Sequence, residues 1–137
     1  MRSIGDLIVG RKLYTVAETA NILTVVQLMV KRKVGALPIT DKIGQIIGIF
    51  TERDLLKRVV AAELDIKQTL VSQVMTRKLI TANVDETSTY CLRKMKEKKI
   101  RHILVAKEGK IVGIISQRDL IEVDLAEKRK ALQSIDA

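Results

Sequence analysis

One stretch of this chain is written twice. Gly48-Ile49-Phe50-Thr51-Glu52-Arg53-Asp54-Leu55 returns 65 positions later as Gly113-Ile114-Ile115-Ser116-Gln117-Arg118-Asp119-Leu120. The glycine, the hydroxyl residue, the arginine, the aspartate and the apolar positions between them stay in register. Upstream the correspondence continues at an offset of 66. Thr15 falls on Thr81, Met29 on Met95, and Val34-Gly35-Ala36-Leu37-Pro38-Ile39 on Ile100-Arg101-His102-Ile103-Leu104-Val105. The offset changes between Asp41-Lys42-Ile43-Gly44 and Lys107-Glu108-Gly109, where a surface turn tolerates the loss of one residue. Ile4-Gly5-Asp6-Leu7-Ile8 resembles Val71-Ser72-Gln73-Val74-Met75. A repeat of this length is a packing unit. The expected organisation is a first repeat over residues 4–64, a second over 71–125, and a mostly polar C-terminal extension over 126–137.

The apolar period switches several times within each copy. Ile22, Val25, Val26, Met29 and Val30 lie at helical spacing, as do Cys91, Leu92 and Met95. Each of these helices ends in a basic cluster, which suits the negative end of the helix dipole. Two short apolar runs follow, joined by a Gly-containing turn, and this pattern predicts a β-hairpin. A second helix is expected after Thr51 and after Ser116, and a short first strand near Tyr14-Thr15-Val16 and Ile80-Thr81-Ala82. Each repeat thus reads strand, helix, strand, strand, helix, an α+β pattern.

Units of about 60 residues are marginal alone, so the two are expected to share a core. That core must be aliphatic, because Tyr14, Phe50 and Tyr90 are the only aromatic residues. Cys91 is the single cysteine and stands where the first repeat has Val25. It reads as a small core residue, and one thiol per chain suits a reducing compartment. No apolar run reaches the ~20 residues that span a bilayer, and no leader-like apolar segment opens the chain. The expectation is a soluble, cytoplasmic protein with no membrane contact. A formal net charge of +9 favours anionic partners without naming one; solvated helix faces and ends account for most of it.

Thr51-Glu52-Arg53-Asp54 and Ser116-Gln117-Arg118-Asp119 each follow a strand and open a helix. Backbone N–H groups at a helix N-terminus suit a phosphate, and a Thr or Ser hydroxyl adds a donor. An ionised aspartate only accepts, so it cannot hold a phosphate, but it can hold the vicinal hydroxyls of a ribose. Hydroxyl plus aspartate therefore suits a nucleotide. The same spacing also makes a helix capping box, and the two readings stand side by side. His102 has no metal-ligating partners at suitable spacing; it reads either as a strand-edge residue or, beside Arg101, as a phosphate ligand. No nucleophile constellation is present. Asp54 and Asp119 belong to separate repeats, so a shared acid–base pair is not expected.

Taken together, these motifs resemble a tandem pair of cystathionine-β-synthase (CBS) domains, a Bateman module. The resemblance rests on residues 34–39, 48–55, Val74-Met75-Thr76 and 113–120, and extends over about residues 4–125. It implies a βαββα fold per repeat, with the repeats packed through their sheets in pseudo-two-fold symmetry and two clefts between them. It implies adenosyl ligands: AMP, ADP, ATP, or in some members S-adenosylmethionine or dinucleotides. Carried over, Thr51 and Ser116 meet a phosphate, Asp54 and Asp119 hold the ribose, the backbone at Tyr14-Thr15 and Ile80-Thr81 faces the adenine edge, and Val34 and Ile100 pack on the base. A basic pair holds phosphates in some members, and Arg101-His102 resembles it. Gly35-Ala36 replaces it in the first repeat, which leaves that cleft poorer in cations.

The function so implied is a regulatory adenine-nucleotide sensor, not an enzyme, that signals to a partner protein and associates as a homodimer. It needs no cofactor; magnesium enters only with a di- or triphosphate. S-adenosylmethionine or dinucleotide sensing is the alternative within the family. Nucleic-acid binding is the alternative outside it, disfavoured by the scarcity of stacking aromatics and the lack of a known nucleic-acid-binding motif.

Overall fold

The structure is a computed structural model that describes residues 2–136. In chain order the elements are a one-turn helix α1 (Ile4–Leu7), strand β1 (Val16–Ala17), helix α2 (Ile22–Arg32), and strands β2 (Ala36–Thr40) and β3 (Ile46–Thr51). A short helix α3 (Glu52–Asp54) continues as a π-helical turn (Leu55–Val60), followed by a 3-10 turn (Val71–Gln73). Strand β4 (Thr81–Asn83), helix α4 (Ser88–Lys98), strands β5 (His102–Lys107) and β6 (Lys110–Ser116), and helix α5 (Gln117–Asp136) complete the chain.

Each repeat contributes one three-stranded sheet, in the order β1-β2-β3 or β4-β5-β6. In each sheet the first strand is parallel to the second, which needs the crossover that α2 or α4 supplies. The second and third strands form an antiparallel hairpin. The architecture is the expected α+β one, βαββα in each repeat. The first strands lie slightly further along than expected, at Val16–Ala17 and Thr81–Asn83, because pairing with Ile39–Thr40 and Leu104–Ala106 sets their extent. Residues 126–136, in the mostly polar extension, continue α5 without a break.

The two crossover helices are near copies in their ends as well as their faces. Asn21 accepts from Thr24 N–H at 2.9 Å, and Thr87 accepts from Tyr90 N–H at 3.1 Å; each hydrogen bond satisfies one of the free donors of a first turn. Each helix stops at a left-handed lysine, Lys33 or Lys99, with φ 56° in both. Ile22, Val25 and Met29 are buried in one, Ser88, Cys91 and Met95 in the other. Val25 and Cys91 are equivalent and fully buried. Burial pushes the Cys91 thiol up to about 11, with Glu86 adding to the shift and Lys94 opposing it. At neutral pH this cysteine is a small apolar core residue.

The chain divides into two compact units. The residues through Leu13 pack with those from Ile80 onward, and Tyr14–Leu79 form the other unit. The segment heading each repeat in the sequence therefore folds against the sheet of the other repeat. In the Tyr14–Leu79 unit, Thr76 forms an antiparallel bridge with Ile49, and its neighbour Met75 packs over Gly48. A Cβ on Gly48 would lie 2.5 Å from Met75 Sδ. In the other unit, Gly5 N–H donates to Val84 O at 2.9 Å, and a Cβ on Gly113 would lie 2.9 Å from Ile8 Cδ1. The two repeated glycines are thus close-approach positions, at which any side chain would require Met75 or Ile8 to shift.

The cores are aliphatic apart from Phe50. One comprises Ile22, Val25, Met29, Leu37, Ile39, Phe50, Val59, Val71, Val74 and Met75. The other comprises Ile4, Ala82, Cys91, Met95, Ile103, Val105, Ile115 and Leu120. Among the described residues, no helix is long and apolar enough to cross a membrane.

Candidate functional site

Both copies of the hydroxyl–aspartate motif form the capping box. Thr51 N–H donates to Asp54 Oδ2 at 3.0 Å, and Asp54 N–H returns to Thr51 Oγ1 at 3.2 Å. Ser116 N–H donates to Asp119 Oδ2 at 3.2 Å, and Asp119 N–H to Ser116 Oγ at 3.1 Å. Beyond this shared frame the copies differ.

In the first repeat the aspartate is sealed. Asp54 is 5 % exposed. Its Oδ1 accepts from the Thr76 hydroxyl at 2.9 Å and lies 3.6 Å from Arg58 Nε, while Oδ2 also accepts from the Thr51 hydroxyl at 3.2 Å. Arg58 donates onward to the Val74 and Met75 carbonyls. The carboxylate thus clamps the segment 74–76 to the start of α3. Buried charge is tolerable only when hydrogen-bonded in this way. Across the hairpin, Thr51 pairs with Ala36, so no cation stands opposite the hydroxyl. Val34 and Gly35 are half-buried, Ala36 is buried and Thr15 is exposed. The Tyr14 ring is covered by the Arg32 guanidinium, 4.3 Å from its centroid.

In the second repeat the aspartate remains reachable. Asp119 keeps 31 % of its side-chain exposure, and Oδ2 forms an ion pair with Arg11 Nη1 at 3.1 Å. Burial pushes this carboxyl up, but the Ser116 amide, the Arg11 guanidinium and the Ser116 hydroxyl together outweigh burial and hold it below its ordinary 3.8. Arg11 and the Ser116 amide both bind Oδ2. Ser116 pairs directly across the hairpin with His102, so the two side chains share a face of the sheet. Arg101 is exposed, and its carbonyl accepts from Gln117 N–H at 2.7 Å. Ser116, Asp119, Arg101 and His102 are therefore gathered at one corner, where β5 starts and α5 begins. Ile100, half-buried, immediately precedes Arg101.

Ile80 and Thr81 enter the same sheet: Leu104 N–H donates to Ile80 O at 3.1 Å, and Thr81 pairs with Leu104. The Thr81 carbonyl already accepts from Lys94 Nζ. Lys94 also stands 5.8 Å from the Tyr90 ring centroid. The equivalent position in the first repeat is the apolar Leu28.

Arg11, Lys94 and Arg58 belong to no motif read from the sequence, and Thr76 stands there only as the end of Val74-Met75-Thr76, with no role at the site. Arg11 meets Asp119 across 108 positions, and no local pattern signals such a pairing. Lys94 was visible only as one of several basic residues on a helix. Among the described residues, no group of three or more His, Cys, Asp or Glu side chains could hold a metal ion.

The model of the CBS domain matches the chain twice, over residues 4–61 and 71–126. The CBS domain-containing protein CBSCBSPB5 of Arabidopsis thaliana is 32% identical over 104 residues, covering 76% of this chain and 19% of that protein. The chain thus spans about a fifth of the length of such relatives. Among solved structures, the CBS domain protein PAE2072 from Pyrobaculum aerophilum, complexed with AMP, is 27% identical with a TM-score of 0.77, covering 93% of this chain and 99% of that one. The CBS domain pair of protein MJ0100, in complex with 5'-methylthioadenosine and S-adenosyl-L-methionine, is 25% identical with a TM-score of 0.81, covering 93% and 98%. CBS pairs are regulatory ligand-binding modules. With two matched repeats, two sheets of the same order and a duplicated hydroxyl–aspartate motif, this chain belongs to the CBS domain family as a tandem pair.

Proposed function

We propose that the chain is an adenine-nucleotide sensor that binds AMP, or a related phosphorylated adenosine, at the Ser116–Asp119 corner and passes the signal to a partner protein. The observation that carries this reading is the difference between the two aspartates. Asp119 is reachable and has an oxygen to offer ribose hydroxyls, whereas both oxygens of Asp54 are engaged within the fold. Ser116 and the α5 N-terminus supply donors for a phosphate. Arg101 adds a cation, and His102 a ring nitrogen, that Gly35 and Ala36 do not. Ile100 packs on the base, and the Ile80–Thr81 backbone faces its edge. Thr51, Asp54, Val34, Tyr14 and Thr15 form the weaker counterpart, sealed at Asp54 and without a basic pair at positions 35 and 36, so one nucleotide per chain is expected. Magnesium accompanies only a di- or triphosphate.

The S-adenosylmethionine bound by the MJ0100 pair motivates the second reading, since Asp119 would hold any ribose. Its sulfonium is a cation, however, and the corner already carries Arg11 and Arg101. Like-charge repulsion disfavours it there. Each unit leaves apolar helical residues exposed, Leu56 and Val60 in one and Ile121, Leu125, Leu132 and Ile135 in the other. Such faces support association with a second copy of the chain. The module has no catalytic role in this reading, and its lone buried thiol suits the cytoplasm.

Titration calorimetry with AMP, ADP, ATP and S-adenosylmethionine tests the proposal. AMP is expected to bind once per chain, and Asp119→Ala to weaken it about tenfold or more. Absence of heat from every nucleotide, with salt-sensitive binding to DNA or RNA instead, would overturn the reading.

A further inference from the structure

We infer that Arg11 makes this corner selective for anionic adenosyl ligands, by exchanging Asp119 for the ligand's phosphate. The inference rests on the nucleotide reading above and adds to it a residue outside both copies of the octapeptide. Asp119 Oδ2 accepts from Ser116 N–H and from Arg11 Nη1, which fills the two lone pairs of that oxygen. A ribose diol grips a carboxylate best through both oxygens, one hydroxyl on each. Oδ1, which holds neither Arg11 nor the Ser116 amide, can take the first hydroxyl, but Oδ2 accepts the second only when Arg11 lets go.

Arg11 is built to let go. It follows the left-handed Gly10, with φ 80°, and begins a stretch, residues 11–15, with neither helix nor strand. Its side chain is 46 % exposed, so the guanidinium is not locked by packing. In the other unit the aspartate's cation is Arg58, one turn along the same helix, and the heading segment supplies Thr76. The position equivalent to Arg58 is Val123. The cation at Asp119 comes from a loop instead.

The guanidinium and the Ser116 amide share one carboxylate oxygen, so the released Arg11 stands next to the hydroxyl proposed to meet the phosphate. Arginine pairs with phosphate as readily as with carboxylate, often bidentately. With AMP the exchange trades one ion pair for another. With adenosine the ion pair is broken and nothing replaces it. Arg11 therefore penalises the uncharged nucleoside and rewards the phosphorylated one, and its position reports which is bound.

The test is calorimetry of AMP and adenosine against the wild-type chain, Arg11→Gln and Arg11→Lys, with melting curves to show that the variants fold. Wild type is expected to prefer AMP over adenosine about tenfold or more. Arg11→Gln should weaken AMP and tighten adenosine, so that the preference collapses, and Arg11→Lys should restore part of it. An AMP-to-adenosine ratio that is unchanged in a folded Arg11→Gln protein, with AMP still bound, overturns the role of Arg11 and leaves the nucleotide site standing. Adenosine binding that appears only in Arg11→Gln supports the role of Arg11. No heat from either ligand with any of the three proteins overturns both readings together.

Discussion

Asp54 and Asp119 occupy the same place in two copies of one motif, each three residues after a hydroxyl that it caps. Around Asp54 the fold supplies a threonine hydroxyl, a second threonine and an arginine one turn along, and the carboxylate is 5 % exposed. Around Asp119 it supplies one arginine from a loop, and the carboxylate is 31 % exposed. The difference lies in what the heading segment brings to each motif: Thr76 closes one aspartate into the structure, while Arg11 only guards the other. A duplicated motif can thus keep its geometry while one copy is sealed into the fold as a clamp and the other stays partly exposed.

The comparison breaks first on stability. Asp54→Ala removes the acceptor for two hydroxyls and an amide, strands the Thr76 hydroxyl, and frees segment 74–76 from α3. The expected cost is about 3 kcal/mol, a fall in Tm of roughly 10 °C. Asp119→Ala loses a helix cap and an exposed ion pair, about 1 kcal/mol. Thermal or urea melts of the two variants decide between these. Equal losses would mean that the two aspartates play the same structural part.

How far this contrast was legible in the sequence follows from the distances along the chain. The repeats, the hairpins, the faces of α2 and α4, and the Cys91–Val25 equivalence rest on local period, which a sequence displays directly. The π-helical turn at Leu55–Val60 was not foreseen, because an apolar spacing does not distinguish bonding at i+4 from bonding at i+5 over so short a run. The contacts that separate Asp54 from Asp119 are long-range. Thr76 lies 22 positions from Asp54, and Arg11 108 from Asp119, and neither pairing leaves a local trace. The basic pair Arg101-His102 was readable because it sits inside the repeated frame, opposite Ser116.

Acid sharpens the contrast at Asp119. Its folded carboxyl lies below the ordinary 3.8, so this group favours the folded state above that value. The contribution is lost as pH falls through the folded-state value. Wild type should therefore exceed Asp119→Asn in stability by a constant margin above about pH 5, with the margin shrinking in more acid solution. Urea melts at a series of pH values follow it. A margin that grows on acidification would contradict the Arg11 and Ser116 contacts described for this carboxylate.

A smaller effect tests whether the two units are equally well satisfied. Ile22 and Ser88 are equivalent first-turn positions of α2 and α4, and both are buried. The isoleucine adds to its core, whereas Ser88, 1 % exposed, has a hydroxyl with no hydrogen-bond partner among the described residues. A buried hydroxyl without a partner costs about 1–3 kcal/mol relative to water. Ser88→Ala removes that cost, loses no hydrogen bond, and leaves a space no larger than an oxygen. Alanine also has the higher helix propensity. Ser88→Ala should thus leave Tm unchanged or raise it by a few degrees, a gain of up to about 1 kcal/mol. Ser88→Ile should do worse than alanine, because the space at position 88 is packed for a smaller side chain. A clear loss of stability in Ser88→Ala would show that the hydroxyl is bonded in solution, and would place a polar contact in the second repeat where the first repeat has only hydrocarbon.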